Sequence, residues 1–427
     1  MNVSSTSASA RAPDARGAAT ALTPAEVQAE RRELQRRRRT ALLLVTPLLA
    51  FVLLAFVAPI ASMLYRSVYN PAVVELIPET LAELSEWDGD GLPSDATRSA
   101  MARELRGLAQ ERRAGVLAAA VNRAYPGASS LINSTARKMR NLKDEELRNG
   151  AALLDAADKR WTQTELWRAI DEVGAVYTDN HYLTALDLER NAAGEIQQRE
   201  SARIYLQLYG KTLGMALVIT LLCIVLGYPL AWYLSQAPAR KANMLMIFVL
   251  LPFWTSLLVR TTAWIALLQT NGVVNSVLQA LYIINEPLEL LYTRVATIIA
   301  MTHILLPFMI LPLYSVMRGI DPSYMRAALS MGSRPLAAFI RIVLPLSLPG
   351  LSAGALLVFI ISVGYYITPA LVGGTDGQMI SNLIAFHMQQ SSNWGLAAAL
   401  GSLLLVLILA LYWTYDRLVG ARNIRLG

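Results

Sequence analysis

The side chains that most often carry out enzymatic chemistry are few in this sequence and lie far apart. Cys223 is the one cysteine, so the chain can form neither an internal disulfide nor a cysteine metal cluster. Gly210-Lys211-Thr212 has the form of the end of a phosphate-binding loop, but the first glycine of such a loop would fall at Tyr205. The histidines lack the spacing of metal ligands: His181, His303 and His387. These residues predict a chain without a metal site that does not itself hydrolyse ATP.

The stretch from Asp321 to Gly350 has the composition of a loop outside a membrane, between two apolar spans. Asp321 can cap a helix and Pro322 suits a first helical turn, whereas Gly332 can adopt the left-handed conformation that ends a helix. By the positive-inside rule, three arginines place this loop in the cytoplasm: Arg326, Arg334 and Arg341. The sequence therefore predicts a short helix, a break at Gly332, and a second helix that returns to the bilayer towards Pro345.

Ala327-Ala328, Gly332 and Leu344-Pro345 together resemble the EAA loop of ATP-binding cassette (ABC) importer permeases. That pattern runs Glu-Ala-Ala, then glycine, then an apolar pair before proline, and Arg326 stands where the family has glutamate. The resemblance implies a coupling helix that docks into a groove of a separate ATPase subunit. Its implied coupling residues are Arg326, Ala327, Ala328, Gly332, Leu344 and Pro345. An ordinary amphipathic loop helix is the alternative.

Segments on either side of this loop resemble the spermidine/putrescine branch of the same permeases, namely 251–255 (LPFWT), 303–314 (HILLPFMILPLY) and 371–374 (LVGG). The resemblance implies an all-α membrane protein with six transmembrane helices in the type I ABC importer (MetI-like) permease fold. It also implies three partners: an ATPase subunit dimer that binds ATP and magnesium, a second permease subunit in a heterodimer, and a periplasmic substrate-binding protein.

Composition agrees with a membrane protein. Hydrophobic residues make up 54% of the 427 residues, only 16% are charged, and the mean hydropathy is +0.39, all of which excludes an ordinary soluble protein. The net charge of +7 comes from basic residues that crowd beside apolar spans. This placement indicates contact with anionic lipid headgroups, and because no aromatics interleave with the basic residues, it does not indicate nucleic-acid binding.

Charge and apolar segments divide the chain into four parts. We expect a disordered basic cytoplasmic tail over 1–40, a first transmembrane helix over 41–65, a mostly helical periplasmic insertion over 66–205, and a permease core over 206–427. The transmembrane helices of the core are predicted at 212–236, 244–269, 296–317, 351–371 and 396–415. Six crossings of the bacterial inner membrane place both termini and the loop 321–350 in the cytoplasm.

A substrate pathway is predicted from polar and aromatic residues near the spans: Trp254, Arg260, Trp264, Tyr365 and Thr368. Arg260 lies near the outer interface, snorkels, or faces a polar pathway, because a charge in the middle of a bilayer is costly. The tryptophans have membrane packing as their alternative role. Since the spans contain no acidic residue, selectivity for a polyamine cation is weakened, and the expected solute is a polyamine, an opine or a related amine or amino-acid-like compound.

Two other classes of protein make different predictions. A secondary transporter driven by an ion gradient is expected to show internal repeats and intramembrane acids. A membrane-anchored sensor is expected to carry a cytoplasmic signalling domain. The sequence shows neither set of features.

Overall fold

The computed structural model describes residues 24–69, 71, 73–143, 145–190, 195–199 and 203–419. Residues 1–23 of the predicted disordered tail lie outside this range. From residue 24 onward the tail is helical rather than disordered, because Ala, Glu, Gln and Arg dominate this segment and favour helices. The segment comprises helix α1 (Pro24–Val52), a π-turn (Leu53–Val57) and helix α2 (Ala58–Arg66), and within it Arg36–Arg66 is long and apolar enough to cross a bilayer.

The insertion between the first and second spans is mostly helical. Its helices are α3 (Pro78–Leu84), α4 (Asp95–Gln110), α5 (Ala114–Ala124), α6 (Ala128–Met139), α7 (Gly150–Ala157), α8 (Thr164–Gly174) and α9 (Asn180–Ala185). A short antiparallel hairpin follows, in which β1 (Leu188–Arg190) pairs with β2 (Ile196–Gln198). The helical spacing of apolar residues predicted helices in 92–125 and 142–170, but it did not predict α6, whose sequence is rich in serine and other polar residues.

The insertion has a hydrophobic core of its own. Leucines and two tryptophans from α4 to α8 are fully buried in one cluster. The Trp161 indole donates to the Thr135 hydroxyl at 3.0 Å, and the Trp167 indole donates to the Trp161 carbonyl at 2.8 Å. Both polar ring atoms are therefore satisfied, which makes full burial of these large side chains favourable.

The second span begins in the permease core, where the helices are α10 (Tyr205–Gln236), α11 (Ala239–Trp254), α12 (Leu257–Leu268), α13 (Val273–Ala280), α14 (Arg294–Arg318), α15 (Pro322–Ser330), α16 (Pro335–Ala338), α17 (Leu344–Gly364), α18 (Ile367–Val372), α19 (Ile380–Gln389) and α20 (Trp394–Val419). The buried Asp187 carboxylate caps α10 by accepting from the amides of Tyr205 and Leu206, at 3.2 and 2.8 Å. A hydroxyl network joins the insertion to the core, since Tyr182 contacts both Ser67 and Ser402.

Five helical segments are long and apolar enough to cross a membrane: Arg36–Arg66, Tyr205–Gln236, Arg294–Arg318, Pro335–Gly364 and Trp394–Arg417. A sixth crossing is the pair Ala239–Trp254 and Leu257–Ala280, which is bent by 97°. If this bent pair counts as one span, the number of candidate spans equals the six that were predicted. Span three was nevertheless predicted as one helix over 244–269, which is wrong, because Thr255 is extended between α11 and α12.

Span five was predicted over 351–371 and starts earlier than that. Its helical segment runs from Pro335 to Gly364, with a π-turn at Phe339–Val343 directly before α17. Pro345 is the second residue of α17, directly after the π-turn. The sequence predicted a second helix that returns to the bilayer towards Pro345, and in the structure this helix continues through Pro345 into α17 as one bent helix.

Small residues allow α10, α14 and α17 to approach each other closely. A Cβ added to Gly350 would lie 3.0 Å from Leu313 Cα, and one added to Gly354 would lie 3.0 Å from the Met309 carbonyl. Gly227 of α10 packs on Met309 in the same way. This is the packing by which helices associate within lipid, and it fixes α14, which carries the 321–350 loop at its C-terminal end.

Acidification is expected to weaken the packing of α9 on α20. The His181 ring lies against Gly395, and burial together with the nearby charge of Arg123 lowers the His181 pKa from 6.5 to about 4. Because the unfolded chain binds this proton first, the contribution to stability is complete above pH 6.5 and is lost as the pH falls towards 4, at a cost of about 3 kcal/mol. Thermal unfolding of the purified protein at pH 7 and pH 4.5 measures this loss. An unchanged pH dependence in His181→Gln would contradict the assignment.

Candidate functional site

The loop between α14 and α17 is built around α15. Asp321 caps this helix, since its carboxylate accepts from the Ser323 amide at 2.7 Å, and that hydrogen bond lowers the Asp321 pKa. At the other end the Ser333 amide donates to the Ala328 carbonyl at 3.0 Å, and Gly332 has φ +84°. These are the bonds of a Schellman motif. The predicted cap and the predicted break at Gly332 are both present.

One face of α15 is turned towards the rest of the core. Ala328 is buried, and a cavity of 170 Å³ separates the helix from the ends of α10 and α14. The cavity is lined in part by Trp232, Met317, Ile320, Met325, Arg326 and Val343. The Arg318 guanidinium ties the two neighbouring helix ends together by donating to the Ser235 carbonyl at 2.8 Å. α15 therefore follows the end of α14 directly along the chain and faces the end of α10 across this cavity.

Much of the surface of α15 and of the residues that follow it is exposed. Arg326 and Ala327 are exposed, and so are three large apolar side chains: Tyr324, Met331 and Leu336. Three arginines of the loop have exposed side chains as well: Arg326, Arg334 and Arg341. An apolar patch with a basic rim on a short helix is a surface suited to a protein partner.

The arm that leads from α15 back to α17 is fixed against α10. The Phe339 ring packs edge-on against Trp232, at 5.5 Å between ring centroids, and against Tyr228 at 6.0 Å. Leu344 is half-buried and Pro345 is exposed at the start of α17. Leu344 and Pro345 directly follow Val343, which shares the cavity with Arg326, so both ends of the predicted coupling set reach the same region.

The predicted pathway residues are only partly brought together. Arg260 donates to the Thr255 carbonyl at 3.0 Å, so it satisfies the carbonyl exposed by the break between α11 and α12. Its guanidinium also interacts electrostatically with His303 and Tyr365. The Trp264 indole donates to His303 Nδ1 at 3.2 Å. Arg260, Trp264 and Tyr365 therefore form one polar cluster, which includes His303.

A second break lies between α17 and α18, beside that cluster. The Ser381 hydroxyl donates to the Tyr365 carbonyl and the Asn382 amide donates to the Tyr366 carbonyl, each at 2.7 Å. Thr368 is fully buried, and its hydroxyl has no hydrogen-bond partner within the described residues. Trp254 stands apart with 70% of its surface exposed. Sequence reasoning missed the roles of Ser381, Asn382 and His303, although each is a polar residue in an apolar segment.

Comparisons with known protein sequences agree on one family. Residues 223–422 match the family described as "binding-protein-dependent transport system inner membrane component". Spermidine/putrescine transport system permease protein PotB of Escherichia coli strain K12 is 36% identical over 222 residues, which cover 51% of this chain and 81% of PotB. Inner membrane ABC transporter permease protein YdcU of the same strain is 33% identical over 228 residues, which cover 49% of this chain and 71% of YdcU. A crystal structure of a bacterial alginate ABC transporter, in complex with an alginate-bound periplasmic protein, aligns with a TM-score of 0.45 at 17% identity, covering 51% of this chain and 78% of that one.

Proposed function

The chain belongs to the family of binding-protein-dependent transport system inner membrane components and is a permease subunit of an ABC importer, and on that basis we propose that α15 is the element through which a separate ATPase moves it. The observation that carries the proposal is the geometry of α15. This helix directly follows α14, faces the end of α10 across a cavity, and exposes apolar and basic side chains at its surface. A secondary transporter driven by an ion gradient does not fit this family.

The proposed assembly has four kinds of subunit. Besides this chain it contains an ATPase dimer that binds ATP and Mg²⁺, a second permease subunit and a periplasmic substrate-binding protein. Residues 31–39 and the 321–350 loop are both rich in basic residues, which supports a cytoplasmic position for both segments. With those segments inside, the insertion 66–205 lies in the periplasm, where a core of its own allows it to fold beside the permease helices.

The proposed solute is an amine of the polyamine class or a related opine or amino-acid-like compound. The name of PotB supports this class, and so do the aromatic faces of Trp264 and Tyr365 beside the two helix breaks, because aromatic rings attract organic cations. Arg260 does not suit a direct contact with an amine. Its hydrogen bond to Thr255 indicates that it holds the helix break in place.

Cysteine accessibility tests the orientation that this proposal needs. Native Cys223 is fully buried, so it gives little background labelling. Ala327→Cys is expected to react with a membrane-impermeant maleimide only in inside-out vesicles, and the exposed Gly115→Cys of the insertion only in intact spheroplasts. Co-purification of an ATPase with the wild-type chain, and its loss in Leu336→Glu, completes the test. Labelling of Ala327→Cys from outside would overturn the proposal.

A further inference from the structure

A groove with a basic residue on each side lies between α10 and α14, away from the coupling loop. Gln207, Lys211, Gly214 and Val218 follow each other at helical spacing and line one side of it, and Arg294 and Ile298 line the other. The groove has a volume of 580 Å³. Arg294 is the first residue of α14, whereas the coupling loop follows its last residue, so about 36 Å of helix separates the two.

The floor of this groove is helix backbone. A Cβ added to Gly210 or Gly214 would meet no atom within 4 Å, so both glycines face open space. A ligand in the groove can therefore approach α10 more closely than side chains would otherwise allow.

The two charged residues that line the groove are both basic, and the rest of the lining is mostly apolar. Arg294 pairs with Asp376 at 2.9 Å, and this hydrogen bond holds the Asp376 pKa below its usual value, so the carboxylate is ionised. Lys211 Nζ reaches the Thr375 carbonyl at 3.5 Å and makes no ion pair within the described residues. Lys211 and Arg294 thus share the charge of one carboxylate, which leaves a net positive charge at this end of the groove.

The position of Lys211 near the start of a transmembrane helix needs an explanation. Lys211 lies in the second turn of a transmembrane helix, is only half-exposed, and incurs the cost of holding a charge close to hydrocarbon. Lys211 could instead anchor the helix end at the membrane interface. That role, however, needs neither the neighbouring Arg294 nor the exposed backbone at Gly210 and Gly214. Lysine and arginine side chains around a backbone floor do suit a carboxylate, which accepts charge-assisted hydrogen bonds.

We propose that this groove binds a carboxylate of the transported solute where the solute enters the permease. The inference rests on the proposed function and narrows its solute class to an amine that also bears a carboxylate. A free polyamine has no group that this groove attracts. The phosphate of an anionic lipid would use the same chemistry, and the experiment below separates it from a solute.

Ornithine and putrescine form a matched pair of probes, because ornithine is putrescine with one additional carboxylate. The complex is purified with its ATPase, second permease subunit and binding protein, and is placed in phosphatidylcholine nanodiscs. Ornithine at millimolar concentration is expected to raise the thermal unfolding midpoint by about 2 °C, and putrescine is expected to leave it unchanged. Lys211→Gln should weaken ornithine binding, so that the half-saturating ornithine concentration rises about tenfold.

Two further variants make the result specific. Gly214→Leu fills the groove while it keeps both cations, and it should abolish the ornithine response. Lys241→Gln removes an exposed lysine at the start of α11 and should keep the response. Equal responses to both probes, or no response to either from an assembled complex, would overturn the inference. A stabilisation by phosphatidylglycerol that replaces the ornithine response would overturn it in favour of a lipid. Failure of the ATPase to co-purify would instead count against the proposed function.

Discussion

Replacement of Gly332 by valine is expected to lower solute uptake at least about tenfold, while the variant inserts into the membrane and its complex still hydrolyses ATP. Gly332 has φ +84°, a conformation that costs a β-branched residue about 1–3 kcal/mol. Space is not the reason, because a Cβ at this position would meet no atom within 4 Å. The strain is relieved when the Schellman bond from Ser333 to Ala328 opens, and α15 then loses its fixed angle. Uptake into proteoliposomes and phosphate release by the same preparation measure the two activities.

Gly89 supplies a matched control for that variant. It also has φ +84° with no atom within 4 Å of an added Cβ, but it lies in the insertion. Gly89→Val therefore carries the same backbone strain and should leave the ratio of solute moved to ATP hydrolysed unchanged. Gly332→Asn should retain coupling, because asparagine tolerates the left-handed conformation. Full coupling in Gly332→Val, or equal losses in Gly89→Val, would contradict the role of this turn.

The coupling loop was predictable because its signals are local. A capping aspartate, a proline in the first turn and a glycine at the C′ position determine where α15 starts and ends without help from distant residues. The span containing α14 was predicted over 296–317 and observed over Arg294–Arg318 for a similar reason, since an uninterrupted apolar run sets its length. Family resemblance then added the role of the loop, which local signals alone do not reveal.

The breaks inside spans were not predictable in this way. The charge of Arg260 indicated that span three is not an ordinary apolar helix. The hydrogen bond from Arg260 to the Thr255 carbonyl, however, depends on a 97° bend that composition does not predict. Pairing of Trp264 with His303 joins helices far apart in sequence, so neither residue alone indicated it. In the sequence, Lys211 belongs only to an incomplete phosphate-loop pattern, and the fold alone places it beside Arg294 in the groove between α10 and α14.

Trp161→Ala is expected to unfold the insertion without removing the permease core from the membrane. Trp161 is fully buried, stacks near Trp167 with 5.6 Å between ring centroids, and donates to Thr135 at 3.0 Å. Truncation of such a residue costs about 3–5 kcal/mol, which is a large share of the stability of a domain of this size. The fully buried residues around it come from the insertion, whereas those that pack α10, α14 and α17 form separate clusters.

Limited proteolysis of membrane vesicles measures this effect. The variant should be cleaved rapidly within 66–205, while fragments that contain α10 to α20 remain membrane-bound and still co-purify with the ATPase. Trp87→Ala is the matched control, because Trp87 lies at the edge of the same core and its indole bonds only to the nearby Asp90 carbonyl at 3.2 Å. It should resist cleavage at the concentrations that cut Trp161→Ala. If Trp161→Ala instead removes the whole chain from the membrane, the insertion is not an independent folding unit, and its packing through Tyr182 and Ser402 must stabilise the core.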